Sequence, residues 1–189
     1  MADTAGLLLA AGAGRRMGKP KALVQFDDEP LLLRALRVLT ASGCAPLRVV
    51  LGADAETARS LLPDPALAVY AEDWAQGMGM SLRAGLEAIA GLDADAVLIH
   101  LVDLPWVVPE VLRRVCASAA PDVVARASYD GVPGHPVLLG RRWWAEVAAG
   151  ASGDRGARDW LANREDLRLV ECGDLGRGHD VDTPADLTR

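Results

Sequence analysis

Hydrophobic positions along this chain come in two alternating patterns. Short apolar runs occupy residues 5–10, 47–51, 66–70, 96–102, 123–127, 137–139 and 167–170. A run that is apolar at nearly every position suits a strand whose sheet is covered by helices on both faces. Between the runs, Leu32, Ala35, Leu36 and Leu39 recur at i, i+3, i+4 and i+7 with Arg34 and Arg37 turned away, and Val108, Val111, Leu112, Val115 and Ala119 repeat the stripe with Arg113 and Arg114 outside. This spacing predicts amphipathic helices. Strand and helix in alternation predict an α/β fold with a doubly wound, mostly parallel, Rossmann-like sheet whose ligand sits beyond the carboxyl ends of the strands. Residues 130–136, rich in Gly and Pro, interrupt the rhythm and suit an antiparallel excursion.

The 189 residues fit a single domain, 1–189, with no repeat or linker to divide it. Hydrophobic residues make up 51% and charged residues 24%, which supplies a core and excludes a disordered chain. A net charge of −6 argues against nucleic acid as a partner. The apolar runs fall short of the ~20 residues that cross a bilayer, and Asp3 stands where a secretory signal would be basic, so the expectation is a cytoplasmic chain without a membrane partner. Cys44, Cys116 and Cys172 have no metal-ligand spacing and are expected as buried reduced thiols.

The first strand runs into LAAGAGRRMGKPK, residues 9–21, which gathers Arg15, Arg16, Lys19 and Lys21 in an otherwise acidic protein. Gly12 and Gly14 allow backbone N–H groups to approach an anion, and the cationic arms can reach around it, a combination suited to a polyphosphate. Two familiar phosphate fingerprints fail here. The dinucleotide pattern GxGxxG has Met17 at its third glycine, which weakens a dehydrogenase reading. A P-loop would need glycine at Ala13 and Ser or Thr at Pro20. Pro20 also disfavours helix through Lys19, so an extended path past Lys21 to a helix near Pro30 is expected.

The string LAAGxGxRMG…PK resembles the MobA-like NTP transferases, the guanylyl- and cytidylyltransferases of the molybdenum cofactor. The resemblance extends along the chain through GMGMSLRAGL (residues 77–86), DLP (103–105), GHPVLL (134–139), GDRGAR (153–158) and DVDTPADL (180–187). It implies a nucleotide-diphospho-sugar transferase, or GT-A, type of fold. It also implies transfer of a nucleotidyl group from an NTP to a phosphorylated acceptor with release of pyrophosphate. Arg16, Lys21 and Asp103 are the implied catalytic residues. Leu9, Ala10, Ala11, Gly12, Gly14, Arg15, Arg16, Lys21, Gly79, Ser81 and Asp103 are the implied nucleotide contacts.

Asp103 closes the fourth long apolar run, at the carboxyl edge where the first loop opens, and Asp182 lies near the chain end. Two converging carboxylates suit Mg²⁺, which completes its octahedron with water and phosphate oxygens. The family's metal aspartates match Asp103 and Asp182, with Asp180 as the substitute. Local readings compete: Asp103 as a cap for the helix after Pro105, and Asp182-Thr183-Pro184 as an N-cap followed by proline at N1.

The resemblance places His135, Pro136 and Arg158 on the acceptor side, although a turn histidine and an Asp154–Arg158 ion pair explain the same residues locally. Arg83 is open between a phosphate and a surface carboxylate. Met78 and Met80 read as adaptable packing, and Trp143 and Trp144 as helix packing. Trp74 and Trp106 neighbour the site and are candidates to flank a pterin ring. LAAG with GMGMSLRAG and GHPV is similar to the cytidylyltransferase branch, which implies CTP and molybdopterin as substrates and a molybdoenzyme or its chaperone as recipient. A sugar phosphate or other small metabolite as acceptor, or a nucleotide-binding delivery module without turnover, are the alternatives on the same fold.

Overall fold

The computed structural model describes residues 3–188. The elements in chain order are β1 (Thr4–Ala10), β2 (Gln25–Phe26), β3 (Glu29–Pro30), α1 (Leu31–Ser42), β4 (Leu47–Leu51), α2 (Ala55–Leu61), β5 (Ala68–Tyr70), α3 (Met78–Ile89), β6 (Ala96–Leu101), α4 (Pro109–Cys116), β7 (Val124–Tyr129), β8 (Val132–Gly140), α5 (Trp144–Gly150), α6 (Arg158–Ala162) and β9 (Arg168–Glu171). A seven-stranded sheet runs in the order β5-β4-β1-β6-β8-β7-β9. β1 pairs parallel with β4 and β6, and β4 with β5, while β8 lies antiparallel between β6 and β7. The expected α/β, mostly parallel architecture is therefore present, with one reversed strand.

Alternation across the sheet builds two apolar layers. Leu8, Leu98 and Leu138 point to the side covered by α1 and α4, and Leu7, Val97 and Leu139 to the side covered by α3 and α5. All six are essentially buried, which explains why the strands read as mainly apolar runs. No helix among the described residues is long and apolar enough to cross a membrane.

The departures from expectation have local causes. Residues 65–67 form a 3-10 turn, its start held by the Asp64 carboxylate accepting from Ala66 N at 2.9 Å, so β5 begins only at Ala68. The excursion expected at 130–136 is a hairpin. Asp130 and Gly131 both take positive φ (52° and 79°), the geometry of a type I′ turn, and β8 extends to nine residues instead of three. Past Pro20 the chain makes a 3-10 turn at Lys21–Leu23 and the small β2–β3 hairpin before α1 starts behind Pro30. Cys44 and Cys116, 72 residues apart, bring their Sγ atoms to 3.8 Å; both are free thiols, as is Cys172.

Candidate active site

β1 hands the chain to a loop that closes on itself. Gly14 takes φ +59°, its carbonyl accepts from Met17 N (2.8 Å) and Gly18 N (2.9 Å), and a side chain at Gly14 would strike the Lys19 carbonyl. Glycine is required there by the turn. Gly12, by contrast, faces open space, so its backbone is approachable. Met17, in the position a dinucleotide fingerprint reserves for glycine, is tucked into the core. The loop thus leaves Arg15 and Arg16 exposed at the mouth of a cavity of about 520 Å³, a size typical of small-molecule sites.

Asp103 follows β6 and enters the same cavity from the adjacent strand end. Its partner arrives from the chain terminus. Val181 is fully buried and its N–H donates to the Asp103 carbonyl at 2.9 Å, which pins the terminal segment beside β6 and sets Asp182 next to Asp103. The cap for the final 3-10 turn (Pro184–Thr188) is supplied by Asp186, whose Oδ2 accepts from Thr183 N (2.9 Å), Thr183 Oγ1 (2.8 Å) and Asp182 N (3.2 Å). Asp182 is therefore released from capping. Asp103 caps nothing either, since α4 starts behind Val108 without a side-chain cap.

Lys21 Nζ donates to Asp103 Oδ2 and to Asp182 Oδ1, both at 2.6 Å, and an Arg16 Nη lies 2.7 Å from Asp182 Oδ2. Burial pushes the Asp103 carboxyl above its ordinary value against the pull of Lys21. Burial would lower Lys21, but Asp103 and Asp182 together hold it above the usual lysine value. Asp103 Oδ1 is buried without a hydrogen-bond partner. Ligand oxygens of Asp103, Asp180 and Asp182 lie within 4.8 Å of one another, so these three carboxylates could hold a metal ion. An orphaned carboxylate oxygen in an all-oxygen donor set fits a hard divalent cation.

Of the residues singled out from sequence, Leu9, Ala11, Gly12, Gly14, Arg15, Arg16, Lys21, Ser81, Asp103 and Asp182 line this cavity. Ala10 does not; it is buried at the strand end. Nor does Gly79, whose missing side chain accommodates the backbone of Ser152. Gly77 likewise accommodates Gly153. Close approach at these glycines serves loop packing. Lys19 lies outside the wall, and so do His135, Pro136 and Arg158. His135 is in β8, its carbonyl accepting from the Tyr129 hydroxyl at 2.8 Å, and burial, then Arg126, His100 and Arg158, push its imidazole down to about 3.

Arg83 donates to the carbonyls of Ala148 (2.9 Å) and Ala151 (3.0 Å) at the end of α5, so it serves neither a phosphate nor a carboxylate. Arg155 pairs with Asp159 at 3.3 Å, and the Asp154–Arg158 pair that was the local alternative is absent among the described residues. Trp106 stacks edge-on against Phe26 away from the cavity, whereas Trp74 lines it. Trp144 is buried in the layer under α5, as expected of helix packing, and Trp143 tilts against Trp160. Sequence reasoning passed over Gln76, Leu101 and Asp154 as wall residues. In the sequence Asp154 stood out only as a partner for Arg158, and nothing in GDRGAR marks it as facing the cavity.

The model of the MobA-like NTP transferase domain matches residues 6–169. The nicotine blue oxidoreductase of Paenarthrobacter nicotinovorans is 35% identical over 97% of this chain and 94% of its own length. The molybdenum cofactor guanylyltransferase of Rhodobacter capsulatus is 33% identical over 61% of this chain and 58% of its own. The crystal structure of Rv0371c from Mycobacterium tuberculosis H37Rv superposes with a TM-score of 0.84 at 29% identity, covering 100% of this chain and 97% of that one. A manganese complex of the same mycobacterial protein superposes at 0.75 with 27% identity, over 89% of this chain and 88% of that one. The match across most of the length, on a sheet and first loop of the kind the sequence implies, makes this chain a member of the MobA-like NTP transferase family.

Proposed function

We propose that the chain transfers a nucleotidyl group from GTP to a phosphorylated, molybdopterin-like acceptor, releasing pyrophosphate. The observation that carries this reading is the junction of Lys21, Arg16, Asp103 and Asp182 at the mouth of the cavity, where cations and carboxylates meet. Arg15, Arg16 and Lys21 bind the triphosphate and hold the charge that develops as pyrophosphate leaves. Leu9, Ala11, Gly12, Gly14 and Ser81 shape the nucleotide seat. Asp103 and Asp182, with Asp180 beside them, would hold Mg²⁺, which would supply positive charge to neutralise phosphate oxygens. An acceptor phosphate oxygen bonds to the α-phosphorus as the bond to the bridging oxygen of pyrophosphate breaks. A phosphate monoester is largely ionised near neutral pH, its second pKa being about 6, so no side chain need remove a proton. His135, Pro136 and Arg158 stand beyond the cavity wall as candidates for the acceptor's far end.

The choice of guanine departs from the CTP implied by LAAG and GHPV. Support for it comes from curated relatives whose names state a base, which are molybdenum cofactor guanylyltransferases. The test is pyrophosphate release from the four NTPs with Mg²⁺ and molybdopterin. GTP-dependent release is expected; release with CTP alone reverses the base, and release from none of them overturns the reading.

The likeness to a protein named as an oxidoreductase favours a second reading, hydride transfer to a dye-like substrate. Against it stands Met17, buried where the dinucleotide fold needs glycine. Binding of NADH or NADPH in titration calorimetry would support that reading, and its absence removes it.

A further inference from the structure

The cavity has a second wall whose chemistry differs from the cationic mouth. Trp74 packs on Gly52, just after β4, and the Ala11 side chain, just after β1, lies against the same glycine. Asp103 follows β6, so Trp74 and Asp103 flank β1 from opposite sides in the order β4-β1-β6. Behind Trp74, the start of α3 meets the loop at residues 152–156: Gly77 lies under Gly153 and Asp154, and a Cβ at Gly77 would sit 2.7 Å from Asp154 Oδ1. Met78, 42% exposed, lies beside Gly156 across the same junction, its sulfur 3.6 Å from where a Cβ on that glycine would be. Trp74, Met78 and Asp154 thus face the cavity together.

Asp154 makes no ion pair or side-chain hydrogen bond among the described residues, and its neighbour Arg155 is engaged by Asp159. A carboxylate on this wall repels phosphates, so the part of the substrate that meets it must donate hydrogen bonds. An indole and a thioether beside it suit the face of a flat heterocycle. A carboxylate has two oxygens in one plane and accepts best from two parallel N–H donors. Adjacent ring N–H and exocyclic NH₂ groups present that pair.

We propose that Asp154, with Trp74 and Met78 at its side, is a specificity-determining residue that reads the N–H/NH₂ edge of a 2-amino-4-oxopyrimidine ring. The inference rests on the nucleotidyltransferase reading for the ring's source, because guanine in the nucleotide and the pterin of the acceptor carry this same edge.

Titration calorimetry separates the sources. GTP is compared with ITP, which lacks the 2-amino group, and 6-hydroxymethylpterin with the lumazine in which oxygen replaces that group. The wild-type chain is expected to favour the amino form of one pair by about tenfold or more, and D154N to bring that ratio to within about twofold of unity. A change in the GTP/ITP ratio assigns Asp154 to the nucleotide base, and a change in the pterin/lumazine ratio assigns it to the acceptor. D159N, in the adjacent helix α6 and outside the cavity wall, leaves both ratios as in wild type. Wild-type ratios near one, or ratios that survive D154N, overturn the proposal. These are binding measurements, so failure of pyrophosphate release would defeat the proposed reaction while leaving the role of Asp154 to stand or fall separately.

Discussion

Lys21 Nζ lies 2.6 Å from Asp103 Oδ2, across 82 residues of sequence, with both side chains only 16% exposed. The same ammonium reaches Asp182 Oδ1. Two acids from distant segments can approach each other here because a positive charge sits between them. That cation occupies oxygens a divalent ion would use, so ligand-free charge balance and substrate binding draw on the same groups.

Lys21→Met should lower the rate of pyrophosphate release about 10²–10³-fold, the scale of losing one preorganised group that stabilises transition-state charge. The variant still folds, but Asp103 loses its partner while largely buried, and stability should drop by about 1–3 kcal/mol. Steady-state pyrophosphate assays and urea titration check the two effects. Wild-type turnover in K21M would remove Lys21 from the reaction.

Manganese binding followed by electron paramagnetic resonance should distinguish the acids. Asp103→Asn and Asp182→Asn should weaken binding about tenfold or more, and Asp180→Asn less, since Asp180 is the exposed member of the cluster. Lys21→Met should bind Mn²⁺ at least as tightly as wild type, because the competing ammonium is gone. Equal affinity in all three Asn variants would show that the ion sits elsewhere.

His100 is 1% exposed and neither ring nitrogen has a partner, so burial pulls its imidazole down to about 4. Between that value and the unfolded value of about 6.5, the unfolded chain binds a proton that the native chain refuses. Stability is therefore full above pH 6.5 and falls as the pH drops toward 4, by about 2 kcal/mol from this group between pH 7 and 5. His135, held at about 3, adds in the same direction. Urea midpoints should show His100→Leu losing correspondingly less between pH 7 and 5. An unchanged pH slope would contradict the burial argument.

Gly79→Ala should cost about 1–3 kcal/mol, since a methyl there meets the Ser152 backbone, which cannot swing aside as a side chain can. The displaced loop carries Asp154, so affinity for the heterocyclic ligand should fall with stability. Thermal melting and calorimetry on one sample test both, and a normal melting temperature would count against tight packing of the two segments.

Much of this molecule was legible in one dimension. The strands of residues 47–51 and 96–101 stand within a residue of the apolar runs that announced them, because strands covered on both faces are apolar at all but one position each, Arg48 and His100, which leaves little to blur their limits. The first loop declared itself because its cations are neighbours in sequence. The Asp130-Gly131 turn was marked by composition, yet the length of β8 was not, since Pro133, Gly134 and His135 carry no strand signal: Pro133 pairs with Ser128 of β7, while Gly134 and His135 fall at the irregularity between the two paired stretches, their carbonyls accepting from the Arg126 guanidinium and the Tyr129 hydroxyl.

What the sequence by itself determined was the set of elements and their local chemistry: apolar runs, stripes of 3.6-residue period and a cluster of charges depend on near neighbours alone. Only the tertiary structure decided which acids met. Val181 had to be buried beside β6 and Asp186 had to take over the cap before Asp182 could turn toward Lys21. Packing against Ser152 gave Gly79 a different purpose from the one its motif suggested, and the same packing carried Asp154 to the cavity wall. Contacts between distant segments arise from how whole layers fit together, and no short window of residues contains that information.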